Sequence, residues 1–170
     1  GDPLADESLD MGPMVNFQGQ QHAQKMVDEA IKAGGKLLLG GKAVQGKGHY
    51  FEPTVIADVS NDMAILREEI FAPVIPVATF DTVDEVIQLA NDCEYGLTSS
   101  VYTQNINKAM KVISRLKFGE TYVNRENFEA MQGFHAGWRK SGIGGADGKH
   151  GLEEYLQTHV VYLQYDQEIN

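Results

Sequence analysis

The chain has 170 residues, 42% hydrophobic and 22% charged, with a formal net charge of −10. That is enough material for one ordinary domain with a real core. An acidic balance with no local run of lysines and arginines repels phosphate backbones and anionic lipid, so nucleic acid and membrane surfaces are not expected partners. No apolar run approaches the roughly 20 residues of a bilayer span, and the opening GDPLADESLDMGP lacks the basic and hydrophobic parts of a signal peptide. The single cysteine makes no internal disulfide and fits a reducing compartment, so a cytoplasmic address is expected.

Residues 1–13 are acidic and punctuated by Pro3, Gly12 and Pro13, and read as an extended lead-in. Asn16 is placed to cap a helix whose apolar face is Ala23, Met26, Val27, Ala30 and Ile31, with Gly34 and Gly35 as its stop. KLLLG then reads as a short buried strand, GKAVQGKGHY as a glycine-rich connection, and PTVIADV as a second strand.

The middle of the chain is the most regular part: a strand in PVIPVATF, a helix from Thr82, a strand in LTSSVYT, a helix from Asn105, and a strand in ETYVN. Thr82 and Glu85 form a capping box, since each side chain can accept from the other residue's unpaired backbone N–H. Val83, Val86, Ile87 and Ala90 make that helix's apolar face; Ile106, Ala109, Met110, Ile113 and Leu116 make the next one's, with Gly119 as a terminator. Strands alternating with helices across short joints pair in parallel, because the crossover helices must pack back on the sheet. The fold class is α/β, with a parallel-sheet βαβαβ core. After Asn124 regularity fails for about thirty residues, a length that in a compact domain signals function or mobility. A last strand is expected in HVVYLQY.

Local motifs mostly eliminate. Gly41 to Gly48 nearly spells a phosphate loop, but Gly48 stands where a hydroxyl must hold magnesium, and HYFEPTV cannot open the helix that must follow. SGIGGADGKHG approaches a dinucleotide fingerprint, but Asp147 stands where the third glycine belongs and no hydrophobic strand leads in. The histidines at 22, 49, 135, 150 and 159 show no ligand spacing with cysteine or carboxylate, so no metal site is expected. Cys93 lies between Asp92 and Glu94 at a helix C-terminal end, where anions and the dipole disfavour a thiolate. Ser141 has no strand leading into it and no nucleophile elbow. No residue here is expected to be catalytic.

DMGPMVN followed by a helix and GGK, then REEIFAPVIPV, ANDCEYGLTSSVYT, and WRKSGIGG followed by GLEEYLQTHVVYL, resemble in order and spacing the C-terminal part of the NAD(P)-dependent aldehyde dehydrogenase family. The agreement runs over almost the whole chain, and VNRENFEAMQGFHAGWRKSG is most similar to the bacterial lactaldehyde (glycolaldehyde) members. The resemblance implies an oxidoreductase using NAD: a cysteine thiolate attacks the aldehyde, hydride passes to the nicotinamide, and a glutamate-activated water releases the carboxylic acid. It assigns Glu69 of EEIF to the nicotinamide ribose, where a carboxylate can accept from two hydroxyls, and Phe71 to packing near the nicotinamide. Without the resemblance, EEIF reads as a surface turn with Phe71 in the core; Ala72 stands where the family usually has glycine.

Residues before WRKSG line the aldehyde tunnel in the family, which assigns Phe134 and His135 to the substrate: an imidazole to hydrogen-bond a 2-hydroxyl, a phenyl ring to wall the apolar side. The other reading is that His135 braces the loop against Glu126 or Glu129. Trp138 is read as packing, and Arg125, Arg139 and Lys140 as solvated or paired charges. By the same resemblance the nucleophilic cysteine, oxyanion asparagine, general-base glutamate and dinucleotide-binding domain belong to sequence upstream of Gly1, so the isolated chain is expected to be inactive. The division expected is 1–13 lead-in, 14–155 partial catalytic domain and 156–170 a C-terminal strand for homo-oligomerisation. The alternative is a stand-alone noncatalytic binding or assembly module with the same fold.

Overall fold

The computed structural model describes residues 1–165. It consists of two compact units, 1–93 and 94 onward.

The first unit is organised by helix α1, Phe17–Lys32. The Asn16 side chain accepts from the Gly19 N–H, closing one of the orphan donors of the first turn, and the chain leaves the helix at Ala33. The predicted apolar face is the buried one: Ala23, Met26, Val27 and Ala30 pack with Phe51, Ile56, Val59 and Ile65. Ile31, at the edge of that stripe, stays 40% exposed. Strand β1 (Lys36–Leu39) pairs antiparallel with β2 (Thr54–Ala57), which pairs in parallel with β3 (Val74–Pro76). Apolar composition misleads at β1, expected to be buried: all four residues are exposed. The reason is topological, since β1 is an edge strand in the order β1-β2-β3 and α1 packs on β2. The short helix α2 (Ala64–Arg67) sits between β2 and β3. Helix α3, Val83–Asn91, begins with the capping box as expected, both reciprocal bonds being present. Arg67 closes the unit by donating to both the backbone and the carboxylate of Asp92, which also receives Asn61.

The second unit contains a β4-α4-β5 crossover: β4 (Thr98–Val101) and β5 (Glu120–Val123) pair in parallel around helix α4, Ile106–Ile113. Asn105 caps α4 by accepting from Lys108 N–H, but the helix ends at Ser114, before Gly119. Of its predicted apolar face only Ala109 is buried; Ile106 and Met110 are 69% and 55% exposed. The α/β class with parallel pairing therefore holds, the parallel pairs being β2 with β3 and β4 with β5.

The stretch after Asn124 contains a two-residue hairpin ladder, β6 (His135–Ala136) with β7 (Gly145–Ala146), a single 3-10 turn at Arg139–Ser141, and helix α5, Gly148–Glu153. The strand expected at His159–Tyr165 is not formed: residues 156–165 have no ladder, and Val160, Val161 and Leu163 are 62%, 67% and 78% exposed. An alternating apolar segment becomes a strand only beside another strand, and within the described residues none lies against it. The rest of that expected element, residues 166–170, lies outside the described residues.

Candidate functional site

Two local arrangements hold the residues singled out from sequence, one in each unit. In the first, Glu69 and Phe71 occupy the connection from α2 to β3. Glu69 is exposed and its carboxylate has no partner among the described residues. Phe71 is 82% exposed, with φ 50. Both facts exclude Phe71 from the core. A bulky residue in left-handed backbone with its ring in solvent costs conformational energy and gains nothing from burial. Ala72 packs against the apolar core, and Val74 N–H donates to its carbonyl at 2.8 Å, so the segment is pinned just beyond the exposed ring. The loop therefore presents an acceptor-only carboxylate and, two residues on, a flat apolar ring to solvent.

In the second unit the site grows from β5 and β6. Glu120 opens β5, its N–H donating to Leu97 O at 3.0 Å and its carbonyl accepting from Ser99 Oγ at 3.2 Å. Its side chain, 15% exposed, turns toward β6, where His135 Nδ1 lies 2.9 Å from Oε2. Tyr122 Oη donates to the same oxygen at 3.1 Å. Glu129 Oε1 is 3.6 Å from Nδ1, too far for a good hydrogen bond but close enough to act as a charge. An ionised carboxylate only accepts, so Nδ1 carries the proton of this contact. The hydrogen bond to Glu120 holds the imidazolium above the ordinary histidine range; partial burial opposes this, and the charges of Glu120, Glu129 and Asp147 add to it. Partial burial first, then the bond and charge of Glu120, push the Tyr122 phenol up. Arg125 lies over the Tyr122 ring, 5.6 Å from its centroid, and donates to Phe128 O.

The His135 ring is thus braced through Nδ1, by Glu120 rather than Glu126 and with Glu129 as the second carboxylate. Nε2 makes no hydrogen bond or ion pair among the described residues. Phe134 packs edge-on against His150, ring centroids 5.3 Å apart, and is half-buried. One ligand atom each from Glu120, Glu129 and His135 lies within 4.8 Å of the others, a grouping that sequence spacing did not reveal. With Nδ1 protonated it is a hydrogen-bond network, and a cation would have to displace that proton.

Glu120 is the residue missed from sequence. Its signal was a carboxylate heading a strand, where glutamate is depleted, immediately before TYV. The WRKSG segment is tied down through its backbone, Ser141 and Lys140, while Trp138, read as packing, is 49% exposed. Trp138 N–H and Gly119 N–H both donate to Gly96 O, Gly96 N–H donates to Ser141 Oγ, and Lys140 pairs with Glu94 at 2.6 Å. A Cβ on Gly119 would fall 1.6 Å from Ala136 O, so only glycine lets β5 approach β6 closely enough to bring Glu120 to His135. Cys93 is half-buried just past the C-terminal end of α3, its thiol 3.7 Å from Ala90 O.

The first unit thus carries a carboxylate and an exposed aromatic ring on one loop, and the second a carboxylate-held histidine beside WRKSG. Residues 1–161 match the model of the aldehyde dehydrogenase family, and the chain belongs to that family. Over 164 residues it is 60% identical to the lactaldehyde dehydrogenase of Escherichia coli (strain K12), covering 96% of this chain and 34% of that protein. The crystal structure of lactaldehyde dehydrogenase from Escherichia coli superposes with a TM-score of 0.95 at 61% identity, covering 97% of this chain and 35% of that one. A 3,6-anhydro-L-galactose dehydrogenase solved in complex with NAP superposes with a TM-score of 0.86 at 47% identity, covering 89% and 33%. The chain therefore spans about a third of the length of the relatives it matches.

Among the described residues no helix is long and apolar enough to cross a membrane.

Proposed function

We propose that this chain is the C-terminal portion of the catalytic domain of an NAD-dependent dehydrogenase that oxidises a short 2-hydroxyaldehyde, lactaldehyde or glycolaldehyde, to its acid. Bound NAD would supply the hydride acceptor. Glu69 would hold the nicotinamide ribose by accepting from its hydroxyls, and Phe71 would lie against the nicotinamide. Phe134 and His135 would form the substrate wall, Nε2 meeting the 2-hydroxyl of the aldehyde while Nδ1 stays tied to Glu120.

The observation that carries this reading is the α2–β3 connection. Glu69 and Phe71 stand exposed two residues apart, the phenyl ring held out by left-handed backbone at φ 50. In this reading the chain lacks the nucleophile and the groups that bind the adenine half of the cofactor, so alone it is inactive and binds NAD poorly. The enzyme works in the cytoplasm on a small aldehyde, without nucleic acid or membrane, and residues 156–170 pair with a second subunit. The test is the appearance of NADH on mixing the isolated chain with glycolaldehyde and NAD. None is expected, and turnover would refute the inactivity of the isolated chain. In the complete enzyme, Glu69→Gln should raise KM for NAD while leaving KM for aldehyde nearly unchanged. Sedimentation that stays monomeric at micromolar concentration would remove the pairing role of the C-terminal segment.

A further inference from the structure

We propose that Glu120 is the positioning residue that holds His135 as the Nδ1-protonated tautomer, so that Nε2 becomes the hydrogen-bond acceptor offered to a substrate hydroxyl. This rests on the reading of His135 as the hydroxyl-binding residue and adds to it the residue that decides which ring nitrogen does the binding.

A neutral imidazole carries its proton on either nitrogen, and the partner of one nitrogen fixes the chemistry of the other. Here the partner is itself immobilised. Glu120 is locked into register opposite Thr98 in the parallel β4–β5 pair, its N–H and carbonyl both engaged. Its carboxylate is mostly buried, and Oε2 takes two donors, Tyr122 Oη at 3.1 Å and His135 Nδ1 at 2.9 Å. The histidine backbone is held just as firmly by the β6–β7 pair, where His135 faces Ala146. The charged and titratable groups facing the ring are Glu120 from β5, Glu129 from the loop and Asp147 at the start of α5, with Tyr122 bonded to Glu120 and Arg125 lying over Tyr122. Of these only Glu120 is within good hydrogen-bond range of Nδ1; Glu129 at 3.6 Å contributes charge but does not direct the proton. Removing the Glu120 charge therefore leaves the ring in place and its tautomer unspecified.

The experiment has a spectroscopic and a kinetic arm. Nitrogen NMR of the imidazole side chains, with His135 assigned by its loss in His135→Ala, reads the tautomer directly. Above the titration midpoint, where the ring is neutral and Nε2 can accept, His135 is expected to carry its proton on Nδ1 in the unmodified chain. In the isosteric Glu120→Gln variant we expect a mixed or Nε2-protonated ring whose titration midpoint falls. A ring protonated at Nε2 in the unmodified chain overturns the proposal whether or not the variant folds, and an unchanged tautomer and midpoint in Glu120→Gln also overturn it. In the complete enzyme, Glu120→Gln should raise KM for glycolaldehyde about tenfold more than KM for propanal, which has no hydroxyl to bind. If His135→Ala abolishes the preference for the hydroxyaldehyde and Glu120→Gln does not, the positioning role alone fails. If His135→Ala keeps the preference, the hydroxyl-binding reading beneath it fails.

Discussion

The two units are held together by different means. The first has an apolar core of eight buried side chains gathered on one face of α1, and its candidate cofactor loop holds the Glu69 and Phe71 side chains exposed. In the second, the only buried hydrophobic side chain among the described residues is Ala109, while Ile106, Met110, Leu152 and Leu156 stay exposed. Its cohesion comes from ladder bonds, from carboxylate contacts such as Glu120 with His135, and from glycines that let backbones touch. A unit with so little buried apolar surface gains little from the hydrophobic effect. Its precision resides in close approaches, which suits a wall that must place a histidine, whereas the first unit is a platform that carries a loop.

This contrast predicts that the second unit is broken by adding one carbon and the first by removing several. Gly119→Ala carries the largest expected effect. The new Cβ would collide with Ala136 O, 1.6 Å from its ideal position, and backbone cannot yield as a flexible side chain can. A loss on the order of 4 kcal/mol or more is expected. The single tryptophan, Trp138, lies in this unit and reports it by fluorescence, while amide exchange in α1 reports the other. Native Trp138 emission in Gly119→Ala would show that the close approach is not what holds β5 to β6.

Met26→Ala is the complementary break. Met26 is 2% exposed at the centre of the α1 face, and truncation should cost about 3 kcal/mol through lost burial and a residual cavity. Faster amide exchange across α1 and β2 should accompany it. An unchanged urea midpoint for α1 would mean that the core cluster contributes less than its burial implies. Next comes Thr82→Ala, which removes one half of the capping box of α3 at a cost of about 1 kcal/mol. Thr82→Ser should restore most of it, since the hydroxyl alone accepts from Glu85 N–H.

The same division explains what could be read in the amino-acid order. Elements that satisfy themselves locally were legible: α1 and α4 with asparagine caps, α3 with its box, and the face of α1 that reaches a core inside its own unit. Elements whose environment lies elsewhere misled. KLLL looks buried and is an exposed edge, Ile106 and Met110 have the right period and no neighbour, and HVVYLQY has strand composition without a strand to pair with. The candidate cofactor residues were placed by resemblance, and nothing local to EEIF announced that Phe71 would be held out in left-handed backbone. The partner of His135 was invisible for a different reason: Glu120 lies fifteen residues away in sequence, and a glycine contact, not a periodicity, brings the two together.

The smallest expected effect separates the units by pH. In the first, the bonds from Arg67 and Asn61 hold the Asp92 carboxyl below the usual carboxylate range, and Ser60 does the same for Asp62. A lowered folded-state pKa means stability that is present above the unfolded value and is lost as pH falls through the folded one, so these groups act at the acid end. His135 has the opposite sign. Its folded-state pKa is raised, chiefly by the hydrogen bond to Glu120, so its contribution is complete below the ordinary histidine value of about 6.5 and disappears as pH rises through the folded value. Because the pair is partly solvated the change is modest, and it should appear as a small fall in the urea midpoint of Trp138 fluorescence between mildly acidic and mildly alkaline buffer. Glu120→Gln should flatten that fall, because it removes the largest cause of the raised folded-state value. A midpoint that rises over the same interval would reverse the sign of the linkage and place the neutral imidazole, not the imidazolium, in the stronger contact with Glu120.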